Sequence, residues 1–155
     1  ALDVLQEVVR THQEGHLDRV AERAGAFFKA ISRGRYTRIR FTAAVDPEVQ
    51  GSDGAWVDAA GLSGNALAQL HLALRLAANE EVPGDRGLPL VLDEPFPAWD
   101  DERLAAVRKV LNGLARAGRQ IVVLSADPRL AKWGRETIVL ADAAGGGTAS
   151  GLRAA

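Results

Sequence analysis

The chain has no cysteine among its 155 residues. Disulfides and thiolate metal sites are therefore excluded, and an intracellular location is permitted. Long hydrophobic runs are also absent, since the longest apolar stretches, residues 88–92 and 121–124, have the length of strands. The amino terminus lacks the basic-then-apolar order of a signal peptide. We therefore expect a cytoplasmic protein with no membrane segment.

Charge of one sign is lacking as well, because 19 basic residues balance 20 acidic ones and leave a formal net charge of −1. This balance gives the chain no overall attraction to nucleic acid, so any DNA binding must be local or shared. The hydrophobic content of 47% is typical of a soluble globular protein. A chain of this length is expected to form one domain with a proper core.

Residues 1–32 form the first segment with a regular pattern. Apolar residues recur there at steps of three and four with charged residues between them, which predicts an amphipathic helix. The helix is either an ordinary one that packs on its own domain or the end of a coiled coil that enters a globular head. The segment has too few heptads for its periodicity to decide between the two.

Residues 33–142 alternate between strand and helix patterns. Residues 35–41 predict a half-buried strand with Tyr36, Arg38 and Arg40 on one face, and turn residues then indicate a hairpin or meander as far as Asp58. The order of elements predicts an α/β fold with a mostly parallel sheet flanked by helices, and a flexible tail at 143–155. The further predicted elements are helices at 64–79, 100–117 and 128–133, and strands at 88–92, 120–124 and 136–140.

Two adjacent carboxylates, Asp93 and Glu94, follow the strand that ends at Leu92. Sites in parallel sheets lie at the carboxyl ends of the strands. A carboxylate there can hold Mg²⁺ against the phosphates of a nucleotide, and a second one beside it can polarise an attacking water. The alternative is that these acids only cap the next helix, and the pair by itself leaves both interpretations open.

Three motifs, in their order and spacing, resemble the carboxyl-terminal lobe of an ABC-type ATPase head, which has a P-loop NTPase fold. The motifs are the helix opening Leu62-Ser63-Gly64-Asn65, the pair Asp93-Glu94, and the run Pro95-Phe96-Pro97-Ala98-Trp99-Asp100. More narrowly, residues 62–77 are similar to the signature helix of the SMC-like double-strand-break-repair ATPases, the family with bacterial SbcC and the YhaN-like proteins. A coiled coil that leads into the head would account for residues 1–32.

The resemblance implies a nucleotide-binding role for Leu62, Ser63, Gly64 and Asn65. Ser63 would contact the γ-phosphate of ATP held by the opposite subunit. Physical chemistry agrees with this assignment, because free N–H groups at a helix amino terminus favour an anion. Serine is also a good N-cap, so a purely structural role for Ser63 stays open.

The resemblance also implies an ATP hydrolase with ATP and Mg²⁺ as cofactors. Asp93 resembles the Walker B aspartate that orients Mg²⁺, through water, and Glu94 the catalytic or water-positioning glutamate. Asp100 matches the D-loop aspartate at the dimer interface. Trp99 stands where the family usually has an aliphatic residue, and it is either a packing residue or an interface anchor.

Two positions depart from the family pattern. The switch region reads Ser125-Ala126-Asp127, with alanine where the family usually has histidine. An alanine side chain cannot hydrogen-bond a γ-phosphate, which puts the turnover rate in doubt, although Ser125 or Asp127 could substitute in part. Asn65 replaces the second glycine of the signature, a modest change because asparagine tolerates unusual backbone angles.

A Walker A loop is missing, because no Gly-x-x-x-x-Gly-Lys-Ser/Thr run occurs in the chain. The resemblance implies that a separate amino-terminal Walker A lobe supplies this loop, and that the chain is half of an ATPase head. The other implied partners are a second head in a homodimer, an SbcD-type nuclease subunit, and DNA for the whole assembly in repair or processing. Two alternatives are a non-hydrolysing ATP-gated scaffold, favoured by Ala126, and a nucleotide-independent interaction module, favoured by the absent loop.

Two further features have ordinary explanations beside functional ones. His12 and His16 have the i, i+4 spacing of a metal pair, but without a His-Glu-x-x-His pattern a solvated role is more typical. A basic cluster surrounds Tyr36 and is either a solvated face or a local DNA contact. Its members are Arg33, Arg35, Arg38 and Arg40.

The missing Walker A loop gives a prediction for the chain by itself. We expect no tight ATP binding and no measurable ATPase activity, because a Walker B carboxylate and a signature serine cannot hold a triphosphate without the phosphate loop. Isothermal titration with ATP and Mg²⁺ measures this directly. Micromolar affinity of the isolated chain for ATP would contradict the half-site interpretation.

Overall fold

Three α-helices and five β-strands lie in the part of the chain that the computed structural model describes, residues 2–81 and 88–140. No helix in these ranges has both the length and the apolar character needed to cross a bilayer. Short 3₁₀ turns occur at Ala59–Gly61 and Pro128–Leu130. The main elements are α1 (Leu2–Ile31), β1 (Tyr36–Phe41), β2 (Pro47–Gly51), β3 (Trp56–Asp58), α2 (Gly64–Glu80), β4 (Leu90–Asp93), α3 (Asp101–Arg116) and β5 (Ile121–Leu124).

The first helix is continuous, as its periodicity predicts. It ends before Gly34, which has a φ of +83° and donates its N–H to the Lys29 carbonyl at 2.8 Å. Glycine is favoured at such a helix end because it adopts positive φ without steric cost. Buried residues in its described part recur at steps of four and three, the spacing of one helical face, and they include Val20, Ala24, Phe28 and Ile31.

A bulge in β1 changes which of its side chains are buried. The pairing of β1 with β2 shifts register between Tyr36 and Arg38, and such a bulge redirects the side chains beside it. Tyr36 is buried with Ile39, and its ring stacks on Phe28 with 4.7 Å between centroids. The prediction that Tyr36 shares a face with the exposed Arg38 and Arg40 was therefore wrong.

The five strands form two small sheets. Strands β1, β2 and β3 form an antiparallel meander, which confirms that prediction, and β4 and β5 pair in parallel. The α/β class is confirmed, but in the described residues the sheet is not mostly parallel, since the larger sheet is antiparallel. One face of the parallel pair buries Leu90 and Leu92, while the other carries Val91, Val122 and Leu124, which are 58%, 37% and 44% exposed.

A hydrophobic cluster joins the parallel sheet to α3 and to the loop between β4 and α3. Trp99 of that loop is 1% exposed and packs in this cluster with Leu92 and with Ile31 of α1. A second cluster contains the meander and the facing sides of α1 and α2. The buried residues of α3 recur at steps of three and four and are Leu104, Val107, Leu111 and Leu114.

Two predictions for the end of the chain were wrong. Residues 136–140 form no strand, and Ile138, Val139 and Leu140 are at least 80% exposed. A strand requires a hydrogen-bonded neighbour, and no described strand pairs with this segment. The helix predicted over 128–133 is only a 3₁₀ turn at Pro128–Leu130. The predicted tail at 143–155 and the loop at 82–87 lie outside the described residues.

The alternating burial along β4 gives a paired test of the fold. Leu92 is 1% exposed, so Leu92→Ala should lower the free energy of unfolding of the chain by about 2–5 kcal/mol through lost burial and a cavity. Val91→Ala on the exposed face should change it by no more than about 0.5 kcal/mol. Urea unfolding of both variants compares the two faces, and equal losses would contradict the observed orientation of the strand.

Candidate functional site

The parallel pairing of β4 with β5 places the two predicted acids beside the switch region. Asp93 lies opposite Leu124 in the register. The next residue, Glu94, continues the ladder by donating its N–H to the Leu124 carbonyl at 2.9 Å. The switch region, Ser125 to Asp127, begins directly after Leu124. The carboxyl ends of the two strands therefore meet.

The Glu94 carboxylate is held by the switch region through both of its oxygens. The Ser125 hydroxyl donates to Oε2 at 2.8 Å, and the Ala126 backbone N–H donates to Oε1 at 2.5 Å. Each carboxylate oxygen keeps a second acceptor direction that can receive a hydrogen bond from water. The backbone of Glu94 has a φ of +37°, and such strain in a non-glycine residue is frequent at functional sites.

Asp93 lies beside Glu94 but is free of these contacts. It is exposed, and no hydrogen bond to its carboxylate is present among residues 15–81 and 88–140, whose side chains the structure describes. In these same ranges no group of three or more histidine, aspartate or glutamate side chains could hold a metal. Mg²⁺ is commonly held by one or two carboxylates together with phosphates and waters. Asp93 therefore fits a Mg²⁺ site that a bound nucleotide completes.

The predicted signature residues lie at the start of α2. Ser63 is the N-cap of α2, and its hydroxyl accepts from the Ala66 N–H at 3.4 Å, a long and weak contact. Ser63, Gly64 and Asn65 are exposed, and Leu62 packs at the edge of the second cluster. No hydrogen bond among the described residues joins this helix start to Asp93 or Glu94. Within the described part of the chain, these two halves of the predicted site are therefore not joined by hydrogen bonds.

The two predicted D-loop residues have different environments. Asp100 is the N-cap of α3: its carboxylate accepts from the Arg103 N–H at 2.8 Å and also pairs with the Arg103 side chain. Trp99 is buried, with its ring 5.1 Å from the ring of Phe96, and its Nε1 has no partner among the described residues. Of the two interpretations of Trp99, packing is the one that the structure shows.

Arg129 is a feature of this region that the sequence analysis missed. Its guanidinium contacts Asp127, Asp101 and the Trp99 carbonyl. Hydrogen bonds from the Arg129 side chain, and then from its N–H, hold the pKa of the Asp127 carboxyl below its ordinary value. The pKa of Arg129 is raised by its bonds to Asp127 and Asp101. The Asp-x-Arg spacing could have indicated the first contact but not the other two.

Several of the other candidate side chains lie beside acidic side chains of the same chain. In the basic cluster, Arg33 pairs with Glu102, and Arg40 pairs with Glu48 at 2.6 Å. Part of the cluster's charge is therefore neutralised within the chain, which weakens its case as a DNA contact. Of the two histidines, His16 lies 3.6 Å from Glu81, and the side chain of His12 lies outside the described residues.

Comparison of the sequence with known proteins shows which proteins this chain is similar to. No protein-family profile matches the chain. The YhaN protein of Bacillus subtilis is 35% identical over 127 residues, which cover 79% of this chain and 13% of YhaN. The DNA double-strand break repair Rad50 ATPase of Thermococcus kodakarensis is 31% identical over 120 residues, which cover 76% of this chain and 14% of that protein. The chain thus spans only a small part of these relatives.

A solved chain described with the ATP-driven dimerization and DNA-stimulated activation of SMC ATPases superposes with a TM-score of 0.72. The superposition covers 88% of this chain and 85% of that one at 14% identity. The fold is therefore that of an SMC-type ATPase head, a P-loop NTPase fold. Together with the YhaN and Rad50 relatives, it identifies the chain as the counterpart of the carboxyl-terminal lobe of an SMC-like ATPase head of the double-strand-break-repair family.

Proposed function

We propose that this chain is one half of an ATP-binding and hydrolysing head, completed by an amino-terminal Walker A lobe and active as a homodimer of heads arranged head to tail. The observation that carries the proposal is the arrangement of Glu94 at the end of β4. Its two carboxylate oxygens are fixed by Ser125 and Ala126, while Asp93 beside it is exposed and available. A fixed acceptor next to a Mg²⁺-type carboxylate is the arrangement that nucleotide hydrolysis requires.

In the proposed reaction Glu94 orients the attacking water and accepts its proton as the oxygen approaches the γ-phosphate. The two donors from the switch region hold the carboxylate in one rotamer, which lowers the entropy lost when the water is positioned. Asp93 would hold Mg²⁺, and this ion when bound neutralises the charge that develops on the phosphates. Neither residue contacts the α- and β-phosphates, which is the role of the missing Walker A loop.

The open face of the parallel sheet supports completion by a second lobe. Parallel sheets are normally covered on both faces, but Val91, Val122 and Leu124 leave one face of β4 and β5 apolar and exposed. Uncovered apolar area of this kind marks an interface. We place the Walker A lobe of the same ATPase against this face.

The separation of the signature from Glu94 supports a composite site formed by two heads. Ser63 lies at the exposed start of a helix whose first N–H groups can receive an anion, and among the described residues it makes no hydrogen bond with Glu94. A γ-phosphate held by one head could therefore meet the Ser63 of the other. The solved SMC chain is described with ATP-driven dimerization, which agrees with this arrangement.

The names of the relatives support a proposal for the role of the whole assembly. Rad50 is named for double-strand break repair, and we infer a role in DNA repair or processing here, with DNA and an SbcD-type nuclease as the expected partners. A second candidate function is a non-hydrolysing ATP-gated scaffold, which Ala126 favours because its side chain cannot contact the γ-phosphate. A third, a nucleotide-independent module, is favoured by the absent phosphate loop.

Removal of the proposed base tests the first candidate against the second. In a head completed with its Walker A lobe, Glu94→Gln keeps the shape of the side chain but loses its basicity, so ATP turnover should fall by ~10²-fold or more. ATP-driven dimers should live longer, as seen by light scattering. Glu22→Gln on the exposed face of α1 is the matched control and should turn over ATP normally. Unchanged turnover in Glu94→Gln would show that Glu94 has only a structural role.

Substitution of Ser63 separates phosphate contact from helix capping. Ser63→Asp keeps N-cap chemistry but sets an anion against the phosphate of the other head, and Ser63→Arg fills the interface. Both variants should keep the melting temperature within a few degrees and lose ATP-dependent dimerisation. Ser52→Asp, at an exposed turn serine, is the control for added charge. Normal dimerisation and hydrolysis by Ser63→Asp would remove Ser63 from the site.

A further inference from the structure

Arg129 contacts three groups that belong to three different segments. It binds the Asp127 carboxylate of the switch region through Nε at 3.0 Å and Nη2 at 2.6 Å. Its Nη1 donates to Asp101 Oδ1, in the first turn of α3, at 2.7 Å. Its Nη2 also donates to the backbone carbonyl of Trp99, in the loop before α3, at 3.1 Å. One side chain thus spans the switch region and the D-loop.

The contacts depend on the shape of the guanidinium. Its Nε donates to both oxygens of Asp127 and its Nη2 donates to Oδ2, while Nη1 reaches Asp101 in another direction. Lysine has the same charge but a single ammonium, which cannot reproduce this planar fork. If only positive charge mattered, lysine could replace Arg129. If these contacts matter, lysine cannot replace it.

The bridge continues to the proposed base on one side. The Asp127 N–H donates to the Ser125 hydroxyl at 3.2 Å, and that hydroxyl donates to Glu94 at 2.8 Å. A continuous series of hydrogen bonds therefore runs from Glu94 through the switch region to Arg129, and from there to the start of α3.

The segment that carries Arg129 also packs against the D-loop through buried side chains. Leu130, next to Arg129, is buried in the same cluster as Trp99, and the ring of Trp133 lies 5.5 Å from that of Phe96. The segment after β5 is thus packed against the D-loop beneath the polar contacts. The ion pairs themselves are exposed, with Asp101 at 86% and Arg129 at 44% of side-chain exposure, so they add little to global stability.

We propose that Arg129 is a positioning residue that couples the switch region to the D-loop, so that a change at Glu94 and Ser125 is transmitted to Trp99 and the start of α3. The functional part of this inference rests on the proposed ATPase role, because the D-loop faces the second head in that role. The coupling itself concerns contacts within this chain and exists without nucleotide.

The coupling is tested first in the chain alone by NMR. Asp101→Asn should shift the backbone amide resonances of Ser125 and Ala126, and this shift should disappear when Arg129→Gln is combined with it. The carboxyl carbon of Asp127 should titrate closer to its ordinary pKa in Arg129→Gln than in the parent chain. Arg135→Gln, which removes an exposed charge six positions further along the chain, should change neither readout. An equal amide shift with and without Arg129 would overturn the proposal.

The functional consequence is tested in the head completed with its Walker A lobe. Arg129→Lys should lower kcat by roughly fivefold or more, the scale of a typical coupling, with little change in KM for ATP and a melting temperature within a few degrees of the parent. Arg135→Gln should leave kcat unchanged. A parent head without turnover would refute the proposed function and leave the NMR result to decide the coupling, while normal kcat in Arg129→Lys would overturn its role in turnover.

Discussion

The pairing of β4 with β5 is the constraint on which the rest of the site depends. Four residue pairs fix the register, and the last of them sets Asp93 opposite Leu124. A slip by one residue would exchange the buried and exposed faces of each strand and would separate Glu94 from the switch region. The hydrophobic difference between the two faces therefore determines the position of the polar groups at the strand ends.

The packing beneath the site gives its two loops a common support. Phe96 and Trp99 from the loop after β4 share one cluster with Leu130 from the segment after β5, and Ile31 brings the end of α1 into it. Both loops are thus anchored by buried aromatic and aliphatic side chains while their polar groups stay at the surface. The end of the long first helix thus contacts the same core as the two loops.

Several surfaces of the lobe expose groups that have no partner in the described part of the chain. One face of the parallel sheet is apolar and exposed, the Asp93 carboxylate makes no hydrogen bond within the described ranges, and the start of α2 presents free N–H groups. A chain that spans 13% of YhaN and 14% of a Rad50 ATPase is expected to have such surfaces. Each surface has its own proposed partner. The apolar sheet face is assigned to the second lobe, Asp93 to Mg²⁺ with nucleotide, and the start of α2 to the opposite head.

The sequence by itself determined the local elements and the motif positions. Helix α1 follows from the period of its apolar residues, and strands β4 and β5 follow from short apolar runs of strand length. The tertiary structure decided what depends on distant partners. The bulge in β1 buried the side chain of Tyr36, and residues 136–140 pair with no strand in the described part of the chain. Ala126 lacks the expected imidazole, but its backbone N–H reaches Glu94, 32 residues away in sequence. Backbone donors and the three contacts of Arg129 leave no periodic signal, because they arise only when separate segments meet in the folded chain.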